Sequence, residues 1–195
     1  MSTGAAVGST AGEEPLRTAL KRAAVALKEA QVPFALGGGY AAWARGGPEP
    51  DHDVDFLVAP EDAPRAEHAL KAAGLAVEHP PEDWLFKVWD GDAMVDLIHR
   101  INGAPVTSDV LRDAQEMEVL SVRMPVLSAT ELVAEKLRAL DEHECDFGRL
   151  LPVARALREQ VDWGAVRCTS AGNPYAEAFL VLLERLGVLA GPAQA

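Results

Sequence analysis

Phe34-Ala35-Leu36-Gly37-Gly38-Gly39-Tyr40 leads into a short helical run over residues 41–45, then Gly46-Gly47-Pro48-Glu49-Pro50-Asp51-His52, then Asp53-Val54-Asp55-Phe56-Leu57-Val58. An apolar strand that runs into consecutive glycines at a helix start lets the backbone approach a ligand closely and aims unpaired helix amides at it. That arrangement suits a phosphate. In the second strand the side chains alternate, so Asp53 and Asp55 share a face that Val54, Phe56 and Val58 cannot all join. Two carboxylates one strand repeat apart repel each other unless positive charge lies between them, and a divalent cation is the usual solution.

Working outward, Leu16, Leu20, Ala23, Ala24 and Leu27 recur at helical spacing and predict an amphipathic helix over residues 14–30. Residues 1–13, rich in Gly, Ser, Thr and Ala, read as a disordered leader. After the second strand, Ala59-Pro60-Glu61-Asp62 opens another helix, with acids in its first turn, and Gly74 closes it. Apolar runs at residues 84–89 and 93–98 flank Asp90-Gly91, a strong hairpin signal. Asp96 therefore falls inside the apolar strand Met94-Val95-Asp96-Leu97-Ile98, where an acid is expensive to bury unless it is paired or bound to a cation. The alternative is a surface acid on an edge strand.

A short helix is predicted from about Pro105 to Ala114, with extended segments over residues 117–122 and 125–127. Ser128 and Glu131 then form a capping box. The helix that follows places Leu132, Val133, Lys136, Leu137 and Leu140 on one stripe, so Lys136 shares the apolar face. A lysine in that setting is a candidate phosphate contact at a cleft edge, or it simply snorkels to solvent. Asp146 suits an N-cap for the next helix, which Pro152 kinks or resets. Two further helices are predicted at residues 163–167 and 174–186, and residues 191–195 read as a tail.

The chain has 195 residues, 49% of them hydrophobic, enough for a sizeable core. Lys and Arg number 18 against 30 Asp and Glu, a net charge of −12, so a polyanion would need a local basic patch to bind. Cys145 and Cys168 stand far apart and are expected to be reduced thiols. No basic and apolar leader or long apolar run is present, so cytoplasmic placement with no membrane association is the expectation.

Gly38-Gly39, the short helix ending near Gly46, and Asp53-Val54-Asp55 fourteen positions beyond Gly39 together resemble the signature of the DNA polymerase beta-like nucleotidyltransferases. Small bacterial members include AbiEii-like and MenT-like toxins and the antibiotic nucleotidyltransferases. The resemblance spans residues 33–151. It implies an α/β (α+β) fold, a nucleotidyltransferase-like mixed sheet of about five strands flanked by helices. The acids would lie near one edge, and a C-terminal helical bundle would form the other wall of the cleft. The implied division is a nucleotidyltransferase core over residues 14–127 and a helical region over residues 128–190.

The resemblance also implies Asp53, Asp55 and Asp96 as catalytic metal ligands for one or two Mg²⁺ ions. Gly38, Gly39, Tyr40 and Lys136 would contact a nucleoside triphosphate substrate such as ATP, and His52 and Asp146 are further candidates. Several positions depart from the pattern. Tyr40 replaces a small hydroxyl residue, and Glu49 and Asp51 replace basic or hydroxyl residues, which implies weaker or more Mg²⁺-dependent nucleotide binding. His52 offsets part of this charge, or is an ordinary solvated loop histidine. In the Arg-Asp-x-x-Asp-Leu run of related toxins, Asp146 matches the first acid, while Cys145 and Arg149 replace the arginine and the second acid.

Three functions follow as expectations. The first is a toxin of a toxin-antitoxin system, modifying tRNA or a protein hydroxyl and held in check by a cognate antitoxin. The second is a nucleotidyltransferase for a cationic small molecule of the aminoglycoside type. The third is a catalytically silent binding module.

Overall fold

The computed structural model describes residues 13–189; the leader expected at residues 1–13, apart from Glu13, and the tail at residues 191–195 lie outside them. Helix α1 (Glu13–Glu29) opens the described chain. The residues whose spacing predicted it, Leu16, Leu20, Ala23, Ala24 and Leu27, all enter the core. Strand β1 (Phe34–Leu36) is buried along its length, α2 (Gly38–Ala44) starts within the glycines, and β2 (Asp53–Val58) returns antiparallel to β1. Next come α3 (Ala63–Ala72), β3 (Ala76–Glu78) and the hairpin of β4 (Leu85–Asp90) and β5 (Ala93–Ile98). Asp90 pairs with Ala93, so Gly91, at φ 62°, is the first central residue of a two-residue turn.

A separate ribbon of β6 (Arg100–Ile101) and β7 (Ala104–Pro105) turns on Asn102-Gly103, both at positive φ. Helix α4 (Ser108–Arg112) and the hairpin of β8 (Gln115–Val119) and β9 (Val122–Val126) follow. The chain then becomes helical, with α5 (Ala129–Arg138), α6 (Phe147–Leu157), α7 (Trp163–Thr169) and α8 (Pro174–Arg185). Ser128 caps α5 as predicted, its hydroxyl accepting from the Glu131 amide at 3.1 Å. Helix α6 runs on through Pro152 rather than being reset there.

The main sheet is mixed, in the order β3-β4-β5-β2-β1-β9-β8. It has seven strands where about five were expected, because residues 115–126 form a hairpin that extends it beyond β1. The turn of that hairpin, Leu120-Ser121, adopts positive φ at both positions without glycine, so its sequence carries no turn signal. The acids also lie elsewhere than expected: β2 is the central strand and β5 its parallel neighbour, third from the edge. No helix among the described residues is long and apolar enough to cross a membrane.

Two hydrophobic clusters meet along α5. One packs the sheet against α1, α2 and α3 and includes Leu132. The other lies among α5 to α8, around Leu137, Leu157, Phe179 and Leu183. Arg45, at the C-terminal end of α2, ties this region together. Its guanidinium donates to the carbonyls of Leu127 (2.6 Å) and Val126 (3.1 Å) and to the side chain of Gln115 (3.0 Å), and its own carbonyl accepts from Gln160 at 2.9 Å. Arg45→Ala removes the donors from two half-buried carbonyls, at an expected cost of about 1–3 kcal/mol. Thermal denaturation of the variant is expected to show Tm lowered by about 3–10 °C.

Candidate active site

The parallel register of β2 with β5 sets Asp55 opposite Asp96, and Asp53 lies one strand repeat before Asp55. All three side chains lie on the same face, and their carboxylate oxygens come within 4.8 Å of one another. Val54, Phe56 and Val58 turn to the opposite, fully buried face. The acid cluster therefore follows from strand alternation plus register. Like charges so close in a largely enclosed site resist ionisation. Burial, then the charges of Asp53 and Asp96, push the Asp55 carboxyl up to about 7, against the opposing pull of Lys136 and the Gly39 amide. Burial raises Asp96 as well, opposed by Lys87.

Lys87 was not anticipated. It pairs with Asp96 across the β4–β5 hairpin, its Nζ donating to the two carboxylate oxygens at 3.1 and 3.5 Å. The signal was present, since a two-residue turn at Gly91-Asp92 puts position 87 opposite position 96. The lysine has to be read together with that register to be found.

The glycine turn folds tightly onto this cluster. A Cβ on Gly38, which adopts φ +56°, would lie 1.6 Å from Asp55 Oδ2; one on Gly37 would meet Leu57 at 2.2 Å and one on Gly39 would meet Pro50 at 2.7 Å. The Gly37 amide donates to the Asp55 carbonyl at 2.8 Å, and the Gly39 amide donates to the Asp55 carboxylate. The turn thus fixes Asp55 directly. The Tyr40 side chain is fully enclosed, its ring edge-on to Trp43 at 5.8 Å, so a nucleotide contact at this position would be made by backbone.

Glu49 is also not the free charge its position implied. It accepts two bonds from Arg17, at 2.7 and 2.6 Å, and Arg17 stacks over Trp43. His52 is largely exposed and lies 3.2 Å from exposed Asp51, outside the acid cluster. Asp146 caps α6, accepting from the Arg149 amide at 3.2 Å.

Helix α5 faces the acids from across a cavity of about 470 Å³, whose lining includes Gly38, Asp55, Leu57, Trp84, Ile98 and Glu135. Glu135 is the second residue missed by the sequence. Burial, then Glu131, pushes its carboxyl up to about 8. It had no local signal, being an ordinary glutamate in a helix rich in charge. Lys136, the next residue, borders a neighbouring groove of about 630 Å³ together with His143, Asp146 and Arg149.

Residues 5–188 match the family model described as uncharacterised nucleotidyltransferase. The chain belongs to this nucleotidyltransferase family. Among curated protein sequences none matches the chain. The fold is similar to that of the antibiotic-resistance factor ANT(2'')-Ia (TM-score 0.63, 16% identity, 90% of this chain and 98% of that one). It is similar as well to the lincosamide antibiotic adenylyltransferase LnuA (0.51, 13%, 76% and 98%). A putative nucleotidyltransferase from Thermotoga maritima is a third (0.51, 20%, 73% and 89%). At these identities the likeness is one of fold. The family membership identifies the chain as a nucleotidyltransferase enzyme, and hence a user of nucleoside triphosphates.

The raised Asp55 carboxyl has a consequence for stability. Between about pH 4 and pH 7 the folded protein holds a proton that the unfolded chain has released, so this residue's contribution to stability falls as pH rises through that window. With EDTA present, Asp55→Asn is expected to melt above the wild type at pH 8 and close to it at pH 4. Melting curves at the two pH values check the sign.

Proposed function

We propose that the protein is a Mg²⁺-dependent nucleotidyltransferase that moves a nucleoside monophosphate from a nucleoside triphosphate to an acceptor hydroxyl. The observation that carries this reading is the convergence of Asp53, Asp55 and Asp96 within 4.8 Å beside the glycine turn. Three clustered carboxylates, one of them raised to about 7, fit a divalent cation, and oxygen ligands of this kind suit Mg²⁺. Asp53 and Asp55, with Asp96 sharing a second ion where two bind, would hold it. Bound there, Mg²⁺ supplies charge neutralisation for the triphosphate and alignment for in-line displacement.

The chain's own residues do the rest. Asp96, held by Lys87, receives the proton of the acceptor hydroxyl as that oxygen bonds to the α-phosphorus and the bond to the β-phosphate bridge breaks. Lys136 offsets the charge gathering on the departing pyrophosphate. Gly38 and Gly39 keep the turn free of side chains, so the triphosphate can approach backbone beside Asp55.

Two observations favour a small, cationic or neutral acceptor over a polyanion. The net charge is −12, and the cavity beside Asp55 has Glu135 in its lining and a volume in the range of small-molecule sites. ANT(2'')-Ia and LnuA, which share the fold, act on antibiotics, in keeping with that reading. The toxin reading, with tRNA or protein as acceptor and a cognate antitoxin, rests on the sequence resemblance. Titration calorimetry of each nucleoside triphosphate with and without Mg²⁺ tests the common core. Wild type is expected to bind in the presence of Mg²⁺, and the Asp53→Ala/Asp55→Ala double variant to lose at least tenfold in affinity. Equal binding by both proteins would remove the acids from the site.

A further inference from the structure

Asp96 has opposite charges on its two sides. Strand β5 lies between β2 and β4, so Asp55 is its neighbour on one flank and Lys87 on the other. The Lys87 ammonium donates to Asp96 Oδ1 at 3.1 Å and Oδ2 at 3.5 Å, and it also contacts Met94 Sδ at 3.2 Å. This is not a loose surface pair, since the two side chains are only 26% and 9% exposed. Register holds it in place. Lys87 faces Asp96 across an antiparallel ladder whose turn closes at Asp90 and Ala93, so its Cα cannot drift along the strand.

Fully ionised, Asp53, Asp55 and Asp96 carry three negative charges, and Lys87 supplies one positive charge beside them. One divalent ion completes the neutralisation. In a two-ion displacement the second ion would lie about 3.5–4 Å from the first and would draw on Asp96. A Mg²⁺ bound to Asp96 Oδ1 at about 2.1 Å would lie within about 5 Å of the Lys87 ammonium. Like charges that close in a largely enclosed site are poorly screened and repel strongly. The ammonium is covalently tethered, so it cannot leave to make room. A carboxylate offers about four lone-pair positions, so the pair still leaves Asp96 free to take a proton on the side facing the cluster.

Resting on the nucleotidyltransferase reading, we propose that Lys87 stands in for a second cation: the cluster holds a single divalent ion, between Asp53 and Asp55, and the Lys87 ammonium supplies the positive charge at Asp96. Lys87 is then a positioning residue that sets how many ions the site takes. The acceptor hydroxyl gives its proton directly to Asp96 as its oxygen bonds to the α-phosphorus and pyrophosphate departs. Without the ammonium, Asp96 is left uncompensated and a second divalent ion enters.

Equilibrium dialysis of the full chain against Mn²⁺ and a non-hydrolysable ATP analogue, read by metal analysis, tests this. The Asp53→Ala/Asp55→Ala double variant serves as the blank for Mn²⁺ held by the acidic surface. Wild type is expected to retain one Mn²⁺ per chain above that blank, and Lys87→Arg, which keeps the charge, to retain the same. Lys87→Met is expected to retain two, and its electron paramagnetic resonance spectrum to show a spin-coupled Mn²⁺ pair that wild type lacks. A lysine that merely braced the hairpin would lower Tm when replaced without changing the count. Lys87→Gln provides the same readout should Lys87→Met fail to fold.

Two ions in wild type overturn the proposal without any variant and leave the nucleotidyltransferase reading standing. An unchanged count in a folded Lys87→Met or Lys87→Gln overturns it as well. A wild-type count no higher than the blank strikes the metal-dependent reading itself, and the role given to Lys87 falls with it.

Discussion

Three carboxylates forced within 4.8 Å of each other are the constraint around which this molecule is arranged. Left alone they would splay apart or pick up protons. Every contact around them restrains one of those outcomes. The parallel pairing of β2 and β5 fixes Asp55 against Asp96 at the level of the backbone. Lys87 holds Asp96 from the next strand, and the Gly39 amide binds Asp55 from above. Gly38 permits that approach, since any side chain there would occupy the position of the Asp55 carboxylate oxygen. A preformed but electrostatically unsatisfied cluster is what a polyvalent cation and its phosphates relieve.

The second requirement is a wall facing the acids. Helix α5 provides it, and its placement is overdetermined. Ser128 caps it, Leu132 enters the core of the sheet, and Val133, Ala134 and Leu137 enter the core of the helical region. Arg45 fastens the end of α2 to the carbonyls immediately before that cap. The two hydrophobic clusters thus share one helix as a common boundary, and Glu135 of that helix borders the cleft.

The parts of this arrangement that depend on local spacing were legible in the sequence. Strand alternation put Asp53 and Asp55 on one face, the apolar context of Asp96 marked it as exceptional, and Ser128 with Glu131 announced the start of α5. What the sequence concealed depends on register and long-range contact. Lys87 becomes meaningful only once the β4–β5 turn is placed, because a shift of one residue would send it to the other face. The partner of Glu49 is Arg17, 32 positions away, and no nearby residue hints at it. Tyr40 looked like a replacement for a phosphate-facing hydroxyl, yet the tight turn directs its ring inward against Trp43. The β8–β9 hairpin stayed hidden because Leu120-Ser121 lacks turn chemistry. Glu135 had no distinguishing feature at all until α5 was laid across the cavity.

The β6–β7 ribbon stands apart from all of this. It is a separate two-stranded sheet, closed by Asn102-Gly103 and inserted directly after β5. It supplies one side of the cavity through Arg100, Ile101 and Asn102 while contributing no strand to the seven-stranded sheet. The shape of this wall and the position of the acids are thus set by separate backbone pairings, β6 with β7 for the one and β2 with β5 for the other.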